Sequence, residues 1–200
     1  MTITNGYATL AEFKAYADIN STDSTDDAVL EDLIEAASRL IDNQVKRTFY
    51  ARTETRYFDV PVAQADGAIL YLDDDLLTVT TLTNGSSGAL AATDYRTLPV
   101  NGTPKWGVQI KSGNSWSSAT DGDPVGSISI VGTWGWSSTA PDDIKQACLM
   151  IANSYRQKRS GQGVEGNARV TSAGVVIEAG DIPKDAARIL LNYRRVGMVI

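Results

Sequence analysis

The feature that most constrains this chain is a change of hydrophobic period, from helical to strand-like after Thr48 and back again at Pro141. Between residues 27 and 47, Val29, Leu30, Leu33, Ile34, Ala37, Leu40, Ile41 and Val45 recur at steps of three and four. That spacing puts them on one face of a long helix. Ser24 with Asp27 is expected to cap it, and Asp26, Asp27, Glu31 and Asp32 sit near its positive end. Upstream, Thr9 and Glu12 have the capping-box spacing of a short helix over 10–17. Residues 20–25 read as the loop between the two.

After Thr48 the pattern shortens. Residues 53–60, 68–72 and 77–83 carry β-branched and aromatic side chains punctuated by Gly, Asp and Asn, as strands do. Asn84-Gly85-Ser86-Ser87-Gly88 reads as a hairpin tip. Further strands are expected near 95–98, 107–111 and 126–132, with loops at 101–104 and 112–124. Pro141 suits a first helical turn beside Asp142 and Asp143. Ile144, Ala147, Cys148, Ile151, Ala152 and Tyr155 then share a face, and Arg156, Lys158 and Arg159 close the helix at its carbonyl end. The glycine-rich Ser160-Gly161-Gln162-Gly163-Val164-Glu165-Gly166 reads as a mobile linker. A short strand at 174–178 and a last helix over 183–195, with Ala186, Ile189, Leu190 and Tyr193 inward, complete the chain. The expected fold is α+β: a bundle of about four helices with an inserted antiparallel β region and an extended C-terminal arm ending in a helix. The expected parts are an N-terminal helical part (1–52), the β insertion (53–138), a core helix (139–160), and a linker with C-terminal docking segment (161–200).

Histidine is absent and Cys148 is the one cysteine. This removes the commonest general base and the commonest zinc ligand, leaving carboxylate, lysine or magnesium chemistry for which no spacing speaks. No catalytic residue, metal or cofactor is therefore assigned, and the chain is expected not to be an enzyme. No apolar run approaches the roughly 18 residues of a membrane span, and residues 1–9 lack the form of a signal peptide. A lone cysteine gives no internal disulfide, so a soluble cytoplasmic protein without a membrane partner is expected.

The net charge of −6 is unevenly spread. Residues 1–75 hold 15 acidic and 6 basic side chains, whereas residues 141–200 hold 6 acidic and 9 basic. An acidic chain is poorly suited to gripping phosphate backbones. Opposite signs at the two ends could draw copies together head to tail, as a ring requires; equally, each helix could carry only its own solvated face.

Four local features invite chemistry. Asp73-Asp74-Asp75 could bind a cation, but it lacks the alternating spacing and distal glutamate of a calcium loop and reads better as an acidic turn between strands. Trp106, Trp116, Trp134 and Trp136 could stack on sugars or bases, but no basic stripe runs among them. Trp134 and Trp136, two apart, read as core or subunit-interface aromatics on one face of a strand. Cys148 lies on an apolar helix face and reads as a buried structural thiol. Arg188, Arg194 and Arg195 cluster beside an apolar tail, Val196-Gly197-Met198-Val199-Ile200, which is expected to be covered by another chain.

Order and spacing then resemble a known family. Tyr7-Ala8-Thr9-Leu10-Ala11-Glu12-Phe13-Lys14, the helix around Leu30-Glu31-Asp32-Leu33-Ile34-Glu35-Ala36-Ala37-Ser38-Arg39-Leu40-Ile41-Asp42, and Arg47-Thr48-Phe49-Tyr50 resemble the head–tail connector (adaptor, head-completion) proteins of long-tailed bacteriophages. So do Thr55-Arg56-Tyr57-Phe58-Asp59, Leu76-Leu77-Thr78-Val79-Thr80-Thr81-Leu82, and Gly132-Thr133-Trp134-Gly135-Trp136 leading to Pro141-Asp142-Asp143-Ile144-Lys145-Gln146-Ala147. Ile182-Pro183 through Leu191-Asn192-Tyr193-Arg194-Arg195 resembles the family's final segment. The resemblance implies a structural virion protein at the head–tail junction, assembled in the host cytoplasm. It implies a homo-oligomeric ring, usually a dodecamer, beneath the portal protein. Such a ring closes the head after DNA packaging and offers a platform to a tail-side connector or tail terminator protein. Genomic DNA would pass through the channel without specific binding.

By the same resemblance Tyr193, Arg194, Arg195 and Arg188 are expected to contact the portal, with the linker and final helix ordering on contact. Asp73, Asp74 and Asp75, with the acidic residues of 31–42, are candidates for a channel lining that repels DNA. The alternative is a carbohydrate- or surface-binding β module with helical flanks, resting on the tryptophans.

Overall fold

The computed structural model describes residues 3–61, 68–159, 169–170, 176–177 and 182–195. They group into two compact units, one from Met1–Arg47 with Thr139–Ile200 and one from Thr48–Ser138. The architecture is α+β, as expected: four helices and a five-stranded antiparallel sheet. The glycine-rich linker and the tail Val196–Ile200 lie outside the described residues.

The helical unit holds α1 (Leu10–Tyr16), α2 (Asp27–Val45), α3 (Asp142–Arg159) and α4 (Lys184–Leu191). Thr9 and Glu12 form the capping box in both directions. At α2 the cap differs from expectation. Asp26 is the N-cap residue and makes no side-chain cap bond; Ser24 meets the Asp27 N–H through its carbonyl rather than its hydroxyl. The helix stops at Val45, two residues early, where Lys46 turns left-handed at φ 57°. Leu30, Ile34, Ala37, Ile41 and Val45 are buried along α2, facing Ile144, Ala147, Cys148, Ile151 and Ala152 of α3. Ser38 sits within this apolar stripe and is satisfied there: it donates to the Ile34 carbonyl at 2.8 Å and accepts the Tyr7 N–H at 3.0 Å. The Cys148 Sγ lies 3.4 Å from its hydroxyl. Because Cys148 also faces Ile34, while Arg156 and Arg159 stand beside Leu30 and Leu33, α3 runs antiparallel to α2.

The β unit holds β1 (Arg52–Phe58), β2 (Ile69–Asn84), β3 (Tyr95–Leu98), β4 (Lys105–Ile110) and β5 (Ile128–Trp134), in the order β1-β5-β2-β4-β3. Residues 68–72 and 77–83, expected as two strands around an acidic turn, are parts of one 16-residue strand. Its first half pairs with β4 and its second with β5, and the register shifts between Tyr71 and Leu76 let one strand bend across both. Leu70, Leu72, Leu76, Leu82, Val108, Ile110, Ile128, Ile130 and Trp134 form the core of this unit, with Trp116 over it from the 111–127 loop.

A second correction concerns the tryptophan pair. The strand ends at Trp134, and Gly135 adopts φ 136°, where a Cβ would overlap the Tyr50 carbonyl. The chain turns there, so Trp134 and Trp136 do not share a strand face. Val176–Ile177, inside the expected 174–178 strand, pairs with Arg169–Val170 as β7 and β6.

Candidate functional site

Three side-chain arrangements remain once the cores are accounted for. The first is the end of the helical unit where α4 sits. Pro183 precedes the helix with extended ψ, Asp185 lies in its first turn, and Ala186 and Leu190 are buried on its inner side against α3. After Leu191 the chain is held rather than released. The Tyr193 hydroxyl donates to Asp143 of α3, 2.8 Å from both carboxylate oxygens, and the Arg195 N–H meets the Val45 carbonyl at 2.8 Å. Burial, reinforced by Asp143, pushes the Tyr193 phenol up to about 12. Of the residues expected at the portal, Arg188 and Arg194 are exposed, while Tyr193 and Arg195 are half-buried. α4 packs against α3 and α2, and the linker expected to order with it on the portal lies outside the described residues.

The second lies at the opposite end of α2 and α3, a groove of about 560 Å³. Val29, Leu30 and Leu33 form its floor. Asp18, Asp23 and Asp26 line one side, and Arg156 and Arg159 the other. Sequence reasoning took residues 20–25 as a loop and Asp26 as a charge at the helix start, because the groove exists only once Arg156 and Arg159 of α3 stand beside them.

The third is the acidic triplet, which does not form a turn. Asp74 and Asp75 are buried, and Asp73 is exposed. Arg56 of β1 reaches Asp73 at 2.8 Å, Asp74 at 3.0 Å and Glu54 at 2.7 Å. Arg52 pairs with Asp74 and with Glu54, and donates to the Thr48 hydroxyl at 2.7 Å. Burial works against ionisation of Glu54, but hydrogen bonds from Arg56 and Arg52 outweigh it and hold its pKa below the usual value. The Arg56 guanidinium also lies 4.8 Å over the Trp134 ring. Trp134 is fully buried, stacks with Phe58 at 6.1 Å and donates its indole N–H to the Glu54 carbonyl. The triplet is therefore part of a charged layer over the sheet core, and of its three carboxylates only Asp73 stands toward water. The signal in the sequence was Arg52, Glu54 and Arg56 at strand spacing, which puts all three on one face.

Among the described residues no group of three His, Cys, Asp or Glu side chains is placed to hold a metal ion, and no helix is long and apolar enough to cross a membrane. Cys148 is buried, and burial pushes its thiol up to about 11, the state of a packing residue rather than a nucleophile. What the described residues offer is surface: charged, partly apolar faces at the two ends of one helical unit.

A family model for the head completion protein matches residues 7–196. The chain belongs to the head completion protein family, as the resemblance in its sequence implied. No curated protein matches it. Among solved structures, a chain in the neck of an empty GTA particle computed with C6 symmetry is similar at 18% identity and a TM-score of 0.65, covering 100% of this chain and 95% of the other. At that identity the likeness is one of fold.

Proposed function

We propose that this protein forms a ring between the portal and the tail at the head–tail junction, closing the filled head and giving the tail its docking platform. The observation that carries the reading is the family match, which spans 7–196 and so takes in both units. The fold likeness to a neck protein supports it, and sixfold symmetry in that particle is compatible with a ring of twelve copies. The exposed Arg194, beyond the end of α4, supports a portal contact. Tyr193 and Arg195 serve that contact indirectly, by fixing the end of α4 to α3 and α2. On the sheet, Asp73 is the carboxylate of its triplet that a DNA channel could meet; Asp74 and Asp75 are enclosed by their neighbours.

The test is complementation of DNA-filled heads made without this protein. Added purified chain is expected to make the packaged DNA resistant to nuclease and the heads competent to accept tails. Heads that gain neither property would remove the reading.

A further inference from the structure

We infer that the outer face of α4 in one copy docks into the groove beside the α1–α2 loop of the next copy. The inference rests on the ring reading above and names the contact that would close the ring. Ala186 and Leu190 bury the inner side of α4, and Lys184, Arg188 and Leu191 stand together on the outer side. Steps of four and three residues make them one stripe, two cations and a leucine. Leu191 is 67% exposed, the most exposed leucine among the large apolar residues described. An apolar side chain set among cations at the surface of a packed helix has the form of an anchor for a partner.

The groove has the complementary form. Leu33 and Val29 give an apolar floor for one leucine-sized anchor, and Asp23 and Asp26 stand beside it for Lys184 and Arg188. On the far side Arg156 and Arg159 stand for Asp185, which follows Lys184 on α4. The same copy cannot make this contact. Tyr193 is fixed to Asp143 and Arg195 to Val45, so α4 ends beside the C-terminus of α2. From Val45 back to Leu33, α2 spans about 18 Å at 1.5 Å per residue. Two unlike surfaces at opposite ends of one unit make a head-to-tail contact, which closes into a ring when each step adds the same rotation.

The experiment is a charge exchange on the full-length chain, read by sedimentation velocity at low salt. K184E/R188E reverses the stripe and D23K/D26K reverses the groove. Each variant alone is expected to associate about tenfold more weakly than the wild type, and an equal mixture of the two to recover, because every reversed stripe then finds a reversed groove. If D23K/D26K lowers the thermal melt, Leu191→Glu, on the outside of α4, serves as the second variant and is expected to weaken association as much. A wild-type chain that stays monomeric, variants that associate like it, or a mixture that fails to recover would each overturn the contact. The adaptor reading is scored separately. Charge-reversed chains that still complete heads would leave it standing without this contact, whereas a wild-type chain that cannot complete heads would remove it.

Discussion

Trp134 ties several parts of the sheet unit together. It fills the sheet core, supports Phe58, carries Arg56 over its ring and satisfies its own N–H on Glu54. Trp134→Ala removes that volume where β5 is held on both sides, so a loss of about 3–5 kcal/mol in denaturant unfolding is expected. Its neighbour Gly132 could not carry a side chain, since a Cβ there would enter the Thr78 carbonyl and crowd Leu76. At the other end of the chain, Tyr193 carries a pH dependence. Its phenol is raised to about 12 in the fold from an ordinary value of 10. The folded state therefore keeps the proton longer than the unfolded one. The stabilising contribution is whole below pH 10 and fades as pH rises toward 12. The denaturant-unfolding stability of the wild type is expected to fall over that window more than that of Tyr193→Phe, which lacks the ionising group and is less stable at neutral pH. A wild type and Tyr193→Phe that lose stability in parallel between pH 10 and 12 would contradict the assignment.

At the scale of elements, helices α1 to α4 were legible because their signals are local: a capping box at Thr9, a stripe from Val29 to Val45, a proline before each of α3 and α4. Strands β3 and β5 were legible for the same reason, by alternation between turn residues. β2 was not, and the cause is specific. Asp73, Asp74 and Asp75 read as a break, yet they are held extended by Arg52 and Arg56, which lie 22 and 18 residues upstream of Asp74. No window of local sequence contains both halves of that arrangement. The arginines of the C-terminal segment were legible as a basic cluster, but the groove of mixed charge was not, since its lining comes from α2, the preceding loop and α3. The charged layer gives a prediction at this scale. Arg56→Met takes one of two guanidinium groups, Arg56 and Arg52, from the buried Asp74, and a loss of about 3 kcal/mol in urea unfolding is expected. Asp73→Asn, whose carboxylate is exposed, is expected to cost well under 1 kcal/mol.

For the whole molecule, the chain is two compact units, each with its own core, joined at Arg47–Thr48 and Ser138–Thr139. The helical unit carries exposed cations on α4 and a groove of mixed charge at the far end of α2 and α3, and the sheet unit carries a layer in which Arg52, Glu54, Arg56, Asp73 and Asp74 are tied together. Such a division suits an assembly protein in which one part makes repeated contacts and the other supplies a rigid platform. Family membership over nearly the full length gives that division a place at the head vertex. The central claim is that the chain works as a ring seated on the portal. The most direct measurement is electron microscopy of the purified full-length protein mixed with purified portal. Closed rings coaxial with the portal, and absent when portal is mixed with Arg194→Glu, are the expected result. Portal particles that remain bare beside an excess of the folded chain would contradict it.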